Sequence, residues 1–362
     1  MKTLKHLDIT YACKYTLIMS SVTMNDVATE LGVSRASVSY ALNGRARERG
    51  VSRQLEKRIL RTAQEMGYRP SRLAQSLVRK RSNTIGLVLP DMSASYGPAL
   101  TESLETAARA SGYQVLLSHH GNDLDRFRET IQTMLGWQVD GLVIVPMAGR
   151  DLSEVIKITE NLPAPTTMVE RDIGAAQSHL ITCDAEVAMR MSIEHLLELG
   201  HKRIGLIDGA RELIESQVRE DSYRATLRRA GFEFDPALLF APSLTDTPQQ
   251  EAAFIDQLLD MPKRPTAVIA ISGTRAVSIY RACLRRGLTI PDDLSVVAIT
   301  GTTFDDFSKV QFTSALLTYG EVGKAAFELL KNDIENGRTP PRRILTSPQW
   351  VAGQSTAVIR DT

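Results

Sequence analysis

The stretch VTMNDVATELGVSRASVSYALNG, residues 22–44, decides how the first part of this 362-residue chain folds. Thr23 suits a helix cap just ahead of Met24, and Val27, Ala28 and Leu31 then fall on one face at helical spacing. Gly32 tolerates the left-handed backbone that a tight turn needs, so it ends that helix. Val33 packs into the turn and Ser34 caps a second helix, where its hydroxyl can take a free backbone N–H. That helix runs to about Asn43. Two short helices joined by a Gly-containing turn, with the small Ala28 facing it, make a helix-turn-helix.

The second helix turns Val38, Ala41 and Leu42 toward a core. It sends Arg35, Ser39 and Tyr40 outward with no acidic residue among them, a face suited to something negative. The surrounding charge agrees. Residues 20–82 hold 13 Lys/Arg against 5 Asp/Glu, a net charge of +8, whereas residues 83–362 hold 27 against 36, a net charge of −9. A basic head on an acidic body points to nucleic acid as the partner of the head. In a helix-turn-helix the second helix enters the major groove and its first residues meet base edges. Arg35, Ala36 and Tyr40 are therefore the candidates for base readout. Arg35 suits a guanine, Ala36 a thymine methyl, and Tyr40 a base or a phosphate. Ser34, Ser37 and Ser39, with Thr23 and Asn43 at the helix ends, suit phosphate oxygens or caps, which position without specifying.

Ser52 caps a third helix, with Leu55, Ile59, Leu60, Ala63 and Met66 on one face and Gly67 after it. Pro70 can start a further short helix to about Val78, ahead of Arg79, Lys80 and Arg81. It is too short to be stable alone, so it either docks on a core or forms with a partner. Residues 1–20 read as a disordered extension: Lys5, Asp8 and Lys14 interrupt any apolar core a signal peptide would need.

From Thr84 the pattern alternates strand and helix. TIGLVLP, YQVLLSHH, VDGLVIVP, RIGLIDG, PTAVIAIS and LSVVAIT read as strands separated by amphipathic helices, which implies parallel sheets covered on both faces. About 280 residues of this favour two lobes over one. A ligand would sit at the strand C-terminal ends, between the lobes. No G-x-G-x-x-G follows a strand and no P-loop occurs, so no nucleotide cofactor is expected. Cys13, Cys183 and Cys283 are too widely spaced for a metal site or a disulfide framework. No run of about 18 apolar residues suggests a membrane span. Nucleophile, acid/base or metal constellations are not visible, so an enzyme is not expected.

The head sequence, continued by VSRQLEKRILRTAQEMGYRPSRLAQSLVRKRSNTIGLVLPD, resembles the LacI/GalR family of bacterial transcription regulators. The likeness covers roughly residues 22–358, and GHKRI (200–204) and PDDLSVV (291–297) match two signatures of that family. It implies an all-α helix-turn-helix head and an α/β, two-lobed body like the periplasmic binding proteins. The domains would be 1–20 (extension), 21–69 (head), 70–82 (hinge helix and linker) and 83–362 (effector binding and dimerisation). Lobe 1 would comprise about 83–182 and 315–338, and lobe 2 about 184–312 and 342–362, with crossings near 182–184, 312–315 and 338–342.

The resemblance also implies that the hinge folds on DNA. Arg72 and Ala74 would lie at the duplex, and Leu77 would wedge into the minor groove. The implied partners are a pseudo-palindromic double-stranded operator, a small-molecule effector and a second copy of the chain, all in the bacterial cytoplasm and on the nucleoid when DNA-bound. Effector positions carry over one at a time: Tyr96, Glu170, Arg171, Asp184, Arg219, Ser272 and Thr300. Ser272 and Thr300 stand where the family has polar or acidic groups that grip sugar hydroxyls. With those acceptors missing and two arginines kept, the site leans toward an anionic effector such as a sugar acid or phosphosugar. His201 is expected to bond backbone at a helix-to-strand corner, and His119 and His120 to be structural. The alternative reading is a DNA-binding regulator whose body is vestigial and insensitive to ligand.

Overall fold

The structure, a computed structural model, describes residues 22–69, 81–92, 96–149, 151–300 and 310–359. The chain divides into two compact units, Met1–Ser82 and Asn83–Thr362. The hinge assignments and the N-terminal extension fall on residues outside those described.

In the first unit, helix α1 (Met24–Leu31) begins at a reciprocal cap. The Asp26 backbone N–H donates to the Thr23 hydroxyl and the Thr23 backbone N–H donates to the Asp26 carboxylate at 2.7 Å. Gly32 takes φ 65°, the left-handed value that ends the helix. The Val33 N–H then returns to the Ala28 carbonyl at 3.0 Å, which holds the turn. Helix α2 (Arg35–Leu42) is capped by Ser34, and α3 (Arg53–Glu65) by Ser52. Val27, Ala28, Val38, Ala41, Ile59 and Ala63 form the small core between the three helices. A short 3-10 turn, Arg47–Arg49, lies between α2 and α3 and was not anticipated.

The second unit holds two six-stranded sheets. The first runs in the order β11 (Arg343–Thr346), β5 (His179–Cys183), β4 (Thr166–Val169), β3 (Gly141–Ile144), β1 (Thr84–Leu89) and β2 (Gln114–His119). The second runs β12 (Gln349–Val351), β10 (Thr313–Leu316), β9 (Ser295–Ala298), β8 (Ala267–Ala270), β6 (Ile204–Ile207) and β7 (Leu239–Phe240). Every pairing is parallel except β12 with β10.

Strand alternation builds a core on each face of each sheet. In β1, Ile85, Leu87 and Leu89 join one core and Val88 the other. The first is covered by α4 (Gly97–Ala110) and α11 (Tyr319–Asn336), and the second by α5 (Leu124–Gly136) and α6 (Ser153–Glu160). On the second sheet, α7 (Ala185–Glu198) and α8 (Ile214–Arg229) cover one face. Helices α9 (Pro248–Leu259) and α10 (Gly273–Arg285) cover the other.

The chain passes between lobes at three places, two of which differ from expectation. The first lies at Asp184, between β5 and α7. The second falls at 317–318, not 312–315, because β10 pairs with β9 in the second sheet before α11 returns to the first lobe. The third falls at 347–348, not 338–342, because β11 pairs with β5 in full register, Arg343 with Leu180 through Thr346 with Cys183. Residues 343–346 thus belong to the first lobe, and 315–316 to the second. Among the described residues, no helix is long and apolar enough to cross a membrane.

Candidate functional site

Two sites are built, one in each unit. In the head, Arg35 and Ala36 are exposed at the start of α2, and Ser37, Ser39 and Tyr40 are half-buried along it. No acidic residue lies in the helix. The Ser34 hydroxyl accepts from the Ser37 N–H at 3.1 Å and lies 2.9 Å from the Ser37 hydroxyl, so those two serines complete the cap. Thr23 is likewise engaged at the start of α1. The Asn43 amide donates to the Ser39 carbonyl at 2.8 Å, closing the end of α2. The Arg49 guanidinium lies 5.8 Å from the Tyr40 ring centroid, within cation–π reach. What remains outward is a row of Arg35, Ala36, Ser39 and Tyr40. Arg72, Ala74 and Leu77 lie outside the described residues.

In the body, each expected effector residue sits just beyond the C-terminal end of a strand or on a helix that faces those ends. Tyr96 starts α4 after β1, Glu170 and Arg171 follow β4, Asp184 follows β5, and Ser272 and Thr300 follow β8 and β9. Strand ends of both sheets meeting at one cleft are where open α/β sheets bind ligands.

The geometry sorts these residues. Arg171 donates to Glu215 at 3.1 Å and to the Pro146 carbonyl at 2.7 Å. Because Arg171 belongs to the first lobe and Glu215 to α8 of the second, this pair spans the cleft, at 11% and 15% side-chain exposure. Arg219 is buried on α8. It donates to Asp208 at 2.7 Å and to the Ser216 hydroxyl at 2.8 Å. Glu170 accepts from the Tyr319 hydroxyl at 3.0 Å, and Tyr319 packs on Tyr96 with ring centroids 5.5 Å apart. Tyr96, Glu170, Arg171 and Arg219 are therefore brought together. Asp184 and Ser272 are not available in the same way: their side chains cap α7 and α10, accepting from Val187 and Arg275.

The electrostatics follow from burial. Burial, reinforced by the neighbouring Glu215 carboxylate, pushes Glu170 up to about 7, against the pull of Arg171. Burial also raises Asp208, although Arg219 opposes it. Burial works against the charge of Arg171 and Arg219, but their carboxylate partners outweigh it and hold both cations firmly protonated. Three buried polar atoms in this region have no hydrogen-bond partner: the Tyr96 hydroxyl, Oδ2 of Asp208 and the Thr300 hydroxyl. Buried polar groups are nearly always satisfied, so such orphans mark places where a ligand or water completes the site.

Sequence reasoning missed Asp208, Glu215, Ser216 and Tyr319. Asp208 carried a usable signal, since an acid directly after the apolar run IGLI stands at a strand C-terminal end. The expected lean toward an anionic effector is corrected here. Neither arginine offers a free fork, and the acceptor carboxylates thought to be missing are supplied by Asp208, Glu170 and Glu215.

The histidines fall as expected. His201 bonds the Ala357 carbonyl at 3.0 Å between α7 and β6. His120 is buried between the Val145 carbonyl and the Asn122 N–H, and burial lowers it to about 4, so it stays neutral. Among the described residues no cluster of His, Cys, Asp and Glu could hold a metal ion.

A capped helix-turn-helix followed by a two-lobed binding-protein body defines a class of regulatory protein. Residues 23–71 match the family described as bacterial regulatory proteins, lacI family, and residues 193–356 match the periplasmic binding protein-like domain. The chain belongs to the lacI family. It is 28% identical over 311 residues to catabolite control protein A of Priestia megaterium, covering 86% of this chain and 92% of that one. It is 29% identical over 318 residues to the HTH-type transcriptional repressor CytR of Escherichia coli K12, covering 87% and 91%. In fold it matches the lac repressor dimer bound to operator and the anti-inducer ONPF, with a TM-score of 0.81 at 21% identity, covering 93% of this chain and all of that one.

Proposed function

We propose that this protein is a sequence-specific DNA-binding transcription regulator, a repressor of a catabolic or transport operon, controlled by a small metabolite bound between the lobes of its body. Two heads in a homodimer read a pseudo-palindromic double-stranded operator, in the bacterial cytoplasm and on the nucleoid when bound. The protein acts by binding rather than by catalysis, as its relatives, all transcription regulators, suggest.

The observation that carries this reading is α2: a capped helix whose exposed N-terminal end holds Arg35 and Ala36, with Tyr40 one turn on and no acid among them. Arg35, Ala36 and Tyr40 read base edges. Thr23, Ser34, Ser37, Ser39 and Asn43 hold the helix ends and meet phosphates, and Arg72, Ala74 and Leu77 of the hinge segment complete the contact. In the body, Tyr96, Glu170, Arg171 and Arg219 form the effector pocket, with Thr300 at its edge. Asp184 and Ser272 support it as helix caps.

The reading with a vestigial body is disfavoured by the orphaned atoms of Tyr96 and Asp208, since a pocket without a ligand has no reason to keep buried polar atoms unsatisfied. The test is selection of genomic fragments on the purified full-length protein at physiological salt. The expected result is enrichment of one two-fold-symmetric motif, with affinity for it ~1000-fold or more above random duplex. Equal binding to all fragments overturns the proposal.

A further inference from the structure

The mouth of the cleft holds a chamber that the polar cluster does not use. Leu152, Ile156 and Ile173 of the first lobe face Arg211, Ile214 and Gln217 of the second around a cavity of about 430 Å³. That volume is within the usual range of a small-molecule site, about 300–1,000 Å³. Ile214 is 41% exposed, and Val218, one turn further along α8, is 40% exposed. The first turns of α8 thus leave two β-branched side chains in water at the opening of a buried polar site. Exposed apolar groups so placed mark a surface that something covers.

The chamber is continuous with the site behind it. A narrower seam carries Leu152, Ile173 and Ile214 onward to Arg171 and Glu215, the pair that closes the cleft. Behind that pair lie the unsatisfied Oδ2 of Asp208 and the Tyr96 hydroxyl. A carboxylate oxygen only accepts, so its missing partner is a donor. An anion would have to displace a carboxylate from Arg171 or Arg219, whereas a hydroxyl donor displaces nothing.

We propose that the effector is an uncharged, hydroxylated compound that carries an apolar group. Its hydroxyls reach toward Asp208 and Tyr96, and its apolar group fills the chamber beneath Ile214. This rests on the effector reading above and adds the chemical class of the ligand and the residue that selects it. Because both lobes line the chamber, its occupant bridges them and favours the arrangement in which both walls are present.

The experiment uses matched methyl and phenyl glycosides of glucose, galactose, xylose and ribose, titrated calorimetrically into the full-length protein, with glucose 6-phosphate as the anionic control. For at least one sugar the phenyl glycoside is expected to bind about ten-fold or more tighter than the methyl one, from the added apolar burial. Ile214→Ser is expected to remove that advantage and leave methyl glycoside affinity within about two-fold, because Ile214 is partly exposed and the fold does not depend on it. Ile214→Trp fills the chamber and is expected to do the same. Equal affinity for both members of every pair, an advantage that survives both variants, a preference for glucose 6-phosphate, or no binding by any compound overturns the proposal. Operator binding, measured in parallel, separates the two readings: if it persists while the glycoside results fail, only the ligand class falls.

Discussion

Tyr40 stands half-buried on α2, one turn beyond Arg35, with the Arg49 guanidinium against its ring. That contact holds the phenol in one direction, so a base it meets is met repeatedly in the same geometry. Tyr40→Ala is expected to cost about 1–3 kcal/mol of discrimination at one operator position and to leave binding to random duplex unchanged. Competition binding with single-position operator variants reads this directly; an equal loss on every sequence would place Tyr40 on a phosphate instead. Glu170 offers a second test at this scale. Its pKa in the folded protein is pushed up from the usual value to about 7. The folded state therefore holds the proton more tightly than the unfolded chain, and this contribution to stability is complete below about pH 4.5 and lost as pH rises to about 7. His120, lowered to about 4 by burial, works the other way, losing stability as pH falls below about 6.5. The wild-type curve mixes the two. Glu170→Gln isolates the first: it is expected to be more stable than wild type at pH 7.5 by about 1–3 kcal/mol, with the difference vanishing near pH 4.5. Urea unfolding across that range checks it, and a pH-independent difference would refute the assignment.

At the scale of elements, α4 and α11 meet at a point where no side chain fits. A Cβ on Gly323 would lie 2.6 Å from the Leu100 carbonyl oxygen and 3.1 Å from the Leu104 nitrogen, both backbone atoms that cannot rotate away. Gly323→Ala must push the helices apart. It is expected to destabilise the body by about 1–3 kcal/mol or more, although alanine is the better helix former. A lower urea midpoint with an unchanged slope would show it; an unchanged or higher midpoint would mean the helices separate freely. The close approach is not written into the local sequence, where Gly323 looks like an unremarkable helix position. The head was legible because its rules are local. Thr23, Gly32, Ser34 and Ser52 act within three or four residues of themselves, and the structure places each where its chemistry requires. The strands of the body were legible as apolar runs. Strands β11 and β12 were not, because RILT and QWV are short, mostly exposed edge segments whose identity comes from their neighbours in the sheets. Missing them displaced the third lobe crossing. The cleft was legible in Tyr96, Glu170, Arg171 and Arg219. Their partners Asp208, Glu215 and Tyr319 come from distant segments, and only the packing of two lobes reveals which carboxylate meets which arginine.

At the scale of the whole body, the Arg171–Glu215 pair is a contact that exists only while the lobes stand together. Its two ends lie on different sheets, and each is largely removed from water. Cutting one partner of such a pair leaves a desolvated charge, typically at a cost of about 3–5 kcal/mol, which the protein can avoid by letting water in. Glu215→Gln keeps the shape of the side chain and removes its charge, so the relief available is separation of the lobes. Small-angle scattering is expected to show a larger radius of gyration for the variant. The same substitution removes the charge that helps to raise Glu170, so the pH dependence described for Glu170 should weaken with it. If lobe closure is coupled to operator binding, the operator affinity of the variant shifts in the direction in which an opening ligand would shift it. Reciprocity requires that operator then change ligand affinity by the same factor in each protein. Scattering and operator affinity both identical to wild type would mean that the lobes are held by the continuous apolar core alone and that this ion pair plays no part in the switch.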